Sequence, residues 1–414
     1  MNISQQFAPP FKLISPYLLI GILILVCSTF LLFTIDIVNL HNLNSITLSW
    51  VHLFLLGFVM MVIFGTMAQL VPVVLEVGHF AVDLYYIIYP LLFIGTLLMV
   101  IGFHYYPSFL LFGGVVSFVA FSIFLLETFL TILKVKKLNF VISTVLIANI
   151  FLLFGLIIGI LLAFGYSGEI NINIYQFLKA HVYLVLVGYV GVTIMGMSLI
   201  LLPMFWLSHS FSWIYVKNAL VILCVGILLV VFSSFIDIQF FEYIGYSFTF
   251  LALLLYFFQI FIIYRTRVRL EIDIYFKSMM FSYICLLTSI IMGIIYMFYP
   301  IQTLLLSLSW LGIFGFITFL ITGHLYKIIP FLVWYERFSP YVGKRKVPML
   351  ADMIPVKSAN MQFLFSTFGV VVISIGLLFI NEVVYKSGVS LLSVGAIFLL
   401  KDILYMIRFK EDVF

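Results

Sequence analysis

Long apolar runs separated by short polar joints dominate this chain, and the length of the runs is the first clue to its fold. A helix needs about 20 residues to cross about 30 Å of hydrocarbon. Runs of that size recur near residues 17–39, 46–72, 84–104, 108–133, 140–166, 175–204, 212–235, 240–264, 276–299, 303–333, 361–381 and 385–406. The pattern predicts an all-α integral membrane protein, with twelve transmembrane helices in a single membrane domain over residues 1–414. Composition agrees, since 65% of the 414 residues are hydrophobic and 8% are charged, which excludes a water-soluble globule.

The joints differ in charge, and Lys and Arg in short loops mark the cytoplasmic side. The basic strings "KVKK" (134–137), "RTRVR" (265–269) and "KRK" (344–346) follow the fourth, eighth and tenth runs, "KDILYMIRFK" closes the twelfth, and Lys12 precedes the first. By contrast "LHNLNS", "YSGEININ", "DIQFFE" and "YPIQT", after the first, fifth, seventh and ninth runs, hold no Lys or Arg. Both termini are therefore expected in the cytoplasm. The net charge of +5 follows from this loop bias and implies no nucleic-acid partner. No cleavable signal is expected, because a polar, proline-containing segment precedes the first run and no small-residue cleavage pattern follows it. Cys27, Cys224 and Cys285 lie in apolar runs without a pairing motif and read as packing residues.

The second run contains "GFVMMVIFGTMAQLVP", and its pattern G-[FY]-x6-G-x6-P recurs twice. Gly57-Phe58, Gly65 and Pro72 are followed by Gly188-Tyr189, Gly196 and Pro203, then by Gly315-Phe316, Gly323 and Pro330. The copies are 131 and 127 residues apart, on runs two, six and ten. This predicts three pseudo-symmetric four-helix repeats, over about 12–137, 138–269 and 270–414. Seven residues at about 100° each bring the second glycine and the proline onto one face of a helix. Small residues there let helix backbones approach closely in lipid. The proline is expected to disturb the last turn. Three such helices suit an inner ring.

Twelve helices in three sets of four, inward termini and a histidine near the outer end of helix two resemble subunit I of the haem-copper oxidase superfamily. In that family histidines on helices two and ten hold a low-spin haem, another on helix ten holds the high-spin haem, and histidines on helices six and seven hold copper. The resemblance implies that His52 corresponds to the helix-two ligand and His181 to the helix-six histidine. Helix seven, "SWIYVKNALVILCVGILLVVFSSF", has no histidine, and "LLLSLSWLGIFGF" places Ser307, Ser309 and Trp310 where the family carries its helix-ten ligands. The complete oxygen-reducing ligand set is absent, so no reaction is assigned. The chain is similar to degenerate relatives such as the shorter NnrS-type haem proteins, which implies a role in respiratory or nitric-oxide stress and a place in a bacterial cytoplasmic membrane.

The residues support part of this independently. An ionisable side chain inside a membrane helix is costly and usually faces protein. His52 and His181 precede their prolines by 20 and 22 residues, which puts them near the outer leaflet with depths differing by about 3 Å. His324, six residues before Pro330, should lie about 20 Å deeper. A neutral imidazole ligates haem iron or metal, and two can supply both axial positions. Measured from the second glycine, however, His52 and His181 are rotated about 200° apart, so they need not converge. Haem is the expected cofactor at His52 and His181, copper the second candidate, and His324 a further metal ligand; interfacial histidines bonded to neighbours or water are the plainer account. Met60, Met61, Met67, Met195 and Met197 offer thioethers but suit core filling.

Other polar groups divide between the two ends. Asp36 and Lys179 fall at outer ends, Glu127 reads as solvated or paired with "KVKK", and Gln69 can serve a carbonyl freed by Pro72. His79, His209, Glu336 and His324 would form a mixed metal site if the inner loops converged; solvated loop residues are the alternative. The inner segment 334–360 suits anionic lipid or a docking partner, and respiratory-chain proteins are the partners implied. Two functions follow: a haem-binding or redox protein, or a non-redox transporter or respiratory-complex assembly factor on the same scaffold.

Overall fold

The computed structural model describes residues 9–38, 44–209, 211–236 and 238–410. The described residues form helices and connecting loops, with no strand among them. Among the described residues, twelve helices are long and apolar enough to cross a membrane: α1 (Phe11–Thr34), α2 (Ser45–Leu75), α3 (Val82–His104), α4 (Pro107–Ile132), α5 (Phe140–Tyr166), α6 (Ile174–Trp206), α7 (Ile214–Ile236), α8 (Gln239–Arg265), α9 (Ile274–Phe298), α10 (Gln302–Arg337), α11 (Val356–Leu378) and α12 (Glu382–Ile407). Each apolar run becomes one helix. The starts of α1 and α11 lie earlier than expected, where turns containing Lys12 and Lys357 continue the helix beyond its apolar part, and α1 ends at Thr34 rather than near residue 39. Asn44, Asn139, Asn173, Asp273 and Asn381 each cap a helix by accepting from the N–H three residues on, satisfying a donor that the first turn leaves open.

Two compact units make up the chain, one of Leu70–Glu271 and one of Pro9–Gln69 with Ile272–Phe414. Within the first, α4 returns along α3 and α8 along α7. A Cβ placed on Gly113 would come within 2.9 Å of the Gly95 carbonyl oxygen, and one on Gly245 within 2.9 Å of that of Gly226. Such backbone proximity gains packing that hydrophobicity cannot supply in lipid. Gly196 of α6 backs onto Thr144 of α5, with Gly188 on Phe151 one turn-pair away.

The second unit repeats these devices. In the α11–α12 hairpin a Cβ on Gly388 would come within 3.1 Å of the Gly369 oxygen. Gly65 of α2 backs onto Tyr17 of α1, and Gly323 of α10 onto Ser278 of α9. The second motif glycine therefore presses α2, α6 and α10 against the helix that precedes each in the chain. This is a use of the motif that spacing along one helix does not reveal.

These three helices are also the most deeply buried, with 61%, 67% and 56% of their apolar stretches inside the protein against 50% or less for the others. Each contains a π-helical segment: Leu53–Met60 in α2, Tyr183–Gly191 in α6 and Trp310–Gly315 in α10. Each segment includes the first motif glycine. The wider winding shifts the residues that follow around the axis, and such segments are frequent at functional sites.

Candidate functional site

His52 is the last residue of the regular turns of α2 before its π segment, and His181 stands two residues before that of α6. In the second unit, His52 Nδ1 is 2.8 Å from the Leu48 carbonyl oxygen of its own helix. In the first unit, His181 Nδ1 is 2.9 Å from the Gly155 oxygen of α5, and its ring lies over Gly159, where a Cβ would come within 2.8 Å of Cε1. His324 Nδ1 is 2.7 Å from the Leu320 oxygen, and its ring meets Tyr275 edge-on at 5.3 Å between centroids. A carbonyl oxygen only accepts, so Nδ1 carries the hydrogen in all three, and the lone pair of the neutral ring lies on Nε2. That is the tautomer and orienting bond that metal-binding histidines use.

The neighbourhood of His52 bears on which group it can hold. Trp50 and Phe54 of α2 stack with Trp310 and Phe314 of α10, with ring centroids 4.4 to 6.1 Å apart. Trp310 Nε1 also donates to the Val370 oxygen at 3.0 Å. The aromatic rings fill the gap between α2 and α10 at this level. A haem seated between those helices, as the oxidase resemblance implies, does not fit there. His52 itself has the donor chemistry for haem iron or copper, toward a group outside the stack.

Among the described residues no three His, Cys, Asp or Glu side chains are placed to share a metal ion. Glu336 accepts from the Phe11 N–H at 3.0 Å, and His209 is exposed. His79 and Glu127 differ from the expectation of solvated groups. Their side chains are 3% and 0% exposed, and His79 Nδ1 lies 2.8 Å from Glu127 Oε1. The same oxygen accepts from the Phe80 N–H at 3.1 Å and the Thr131 hydroxyl at 2.8 Å, and Oε2 accepts from Tyr85 at 3.4 Å. Lys134 of "KVKK" reaches the cluster by donating to the His79 oxygen at 2.8 Å, not to the carboxylate. The loop after α2 folds back over the end of α4, so a group that looks terminal along the sequence is enclosed.

Several smaller expectations resolve similarly. Lys179, expected at an outer end, pairs with Glu242 at 2.6 Å, and Tyr246 donates to the other Glu242 oxygen at 2.6 Å. Asp36 accepts from the Val38 N–H at 2.9 Å. Gln69 Oε1 is buried without a hydrogen-bond partner. Met60, Met61, Met67, Met195 and Met197 are buried in packing positions, and Cys285 backs onto Gly315, whereas Cys27 is exposed on its helix.

Among the buried polar residues that escaped the sequence reading are Glu127 as an enclosed group, Gln259 and Asp402. They stand fourteen residues after Gly113, Gly245 and Gly388, the close-packing glycines of α4, α8 and α12. That common spacing is the signal by which they were findable. No protein-family model matches the chain, and no curated protein matches it.

Proposed function

We propose that the protein is a divergent relative of haem-copper oxidase subunit I. In this reading three quartets of helices carry both termini in the cytoplasm, and His52 and His181 offer neutral imidazoles to haem, or second to copper, in a redox or nitric-oxide and respiratory-stress role. The observation that carries it is the setting of these two histidines. Each stands at the start of a π segment in a deeply buried helix, with Nδ1 committed to a carbonyl and the lone pair on Nε2. His324 has the same tautomer and remains the candidate for a separate metal. The oxygen-reducing centre is not part of the proposal, because α7 has no histidine and α10 carries Ser307, Ser309 and Trp310.

Three features support the quartet arrangement. The G-[FY]-x6-G-x6-P motif, the π segments and the glycine register of the α3–α4, α7–α8 and α11–α12 hairpins all recur. In those hairpins Gly95, Gly226 and Gly369 each face the residue four after the partner glycine, namely Ser117, Thr249 and Leu392. The test is haem per polypeptide in protein purified from haem-sufficient cells. Wild type is expected to carry haem, and His52→Ala and His181→Ala to lose it. Equal haem in the variants and wild type would refute the ligand assignment.

A second reading, a non-redox transporter or assembly factor on the same scaffold, is favoured by the aromatic stack that fills the α2–α10 gap. It expects wild-type protein to be colourless and free of transition metal.

A further inference from the structure

Glu127, Gln259 and Asp402 occupy one register in α4, α8 and α12, and all three are 0% exposed. Their surroundings are unequal. Glu127 has His79 and three further donors. Neither polar atom of the Gln259 carboxamide has a hydrogen-bond partner. Asp402 accepts at Oδ2 from Tyr326 of α10 at 2.7 Å, and its Oδ1 is buried with no partner.

A buried carboxylate is stable when a cation or several donors compensate it. Glu127 has an imidazole and three further donors, whereas Asp402 has neutral hydroxyls and no ion pair. The groups facing Asp402 are the Tyr326 phenol, the Ser358 hydroxyl of α11 and Lys401 on its own helix; α1, which also packs on α12, carries one charged residue, the exposed Lys12 in its first turn. Lys401 is exposed, with its ammonium 3.5 Å from Ser358 Oγ and 5.7 Å from the Phe398 ring centre, and it forms no ion pair with Asp402. The close donors to the carboxyl are therefore two neutral hydroxyls, Tyr326 at Oδ2 and Ser358.

We propose that Asp402 and Tyr326 form a proton-binding site, occupied at neutral pH. Tyr326 donates to Oδ2, and Oδ1 bears the bound proton. Release breaks the Oδ1–H bond, passes the proton to a water molecule and leaves a carboxylate held by Tyr326. Gln259 offers a comparison, since a side chain that is neutral at any pH sits at the same register of α8, equally buried. Protonatable groups inside membrane helices are the elements from which proton relays are built. The site needs no prosthetic group, so it stands apart from the haem proposal.

Infrared spectroscopy of the purified full-length protein tests it through the C=O stretch of protonated carboxyl groups. At neutral pH, wild type is expected to show such a band, shifting in D2O, that Asp402→Asn removes and Tyr326→Phe displaces. If Asp402→Asn does not elute as a folded species, Asp402→Glu serves in its place and is expected to move the band. A wild-type spectrum without the band, or one unchanged in folded Asp402→Asn or Asp402→Glu, overturns the proposal.

Discussion

Replacing His79 by alanine tests how strongly the buried Glu127 cluster depends on its imidazole partner. The carboxyl is 0% exposed, and the imidazole lies 2.8 Å from Oε1. Without it, Glu127 keeps only neutral donors, the Phe80 N–H at 3.1 Å and the Thr131 and Tyr85 hydroxyls at 2.8 and 3.4 Å. Removing one partner of a buried pair costs about 3–5 kcal/mol, mostly because a charge is left uncompensated. Glu127→Gln removes the charge while keeping shape, so it should cost less. Combined with His79→Ala it should recover much of the single-variant loss, giving a coupling energy of about 1–3 kcal/mol. Unfolding in mixed micelles by rising SDS, followed by tryptophan fluorescence, measures the four corners of the cycle. Strictly additive losses, or a His79→Ala cost below about 0.5 kcal/mol, would show that the pair is not energetically coupled and that the cluster is a surface feature.

Gly245→Leu forces a side chain into space where even a Cβ would come within 2.9 Å of the Gly226 oxygen; folded yield should fall sharply, while leucine at exposed Val221 on α7 should have little effect. Trp310→Ala removes a stacked ring and its bond to Val370, a loss of about 3–5 kcal/mol in the same SDS assay; a change under about 1 kcal/mol would mean that the aromatic stack does not secure α2 to α10.

The helix count was legible because lipid imposes a minimum apolar length, and the chain meets it twelve times. The motif on α2, α6 and α10 was legible because its glycines recur at fixed spacing, but their partners on α1, α5 and α9 belong to other parts of the chain and leave no mark near the motif. The π segments were not readable, since apolar residues such as Leu53–Met60 suit an α-helix equally well by composition. Glu127 was misread because only its neighbour "KVKK" was visible, while its partner His79 lies 48 residues away and arrives through the fold of a loop. Asp402 was hidden inside the basic string "KDILYMIRFK", whose charge suggested a solvated end. His52 and His181 were found by their cost in lipid, yet their tautomers depend on Leu48 and Gly155, which only the folded backbone identifies.

The most direct test of the redox reading is the visible absorption spectrum of purified wild-type protein, oxidised and then dithionite-reduced, with haem assayed against polypeptide. A Soret band that sharpens on reduction is expected, with haem bound to the polypeptide. Colourless protein from haem-sufficient cells, also free of copper, would contradict it.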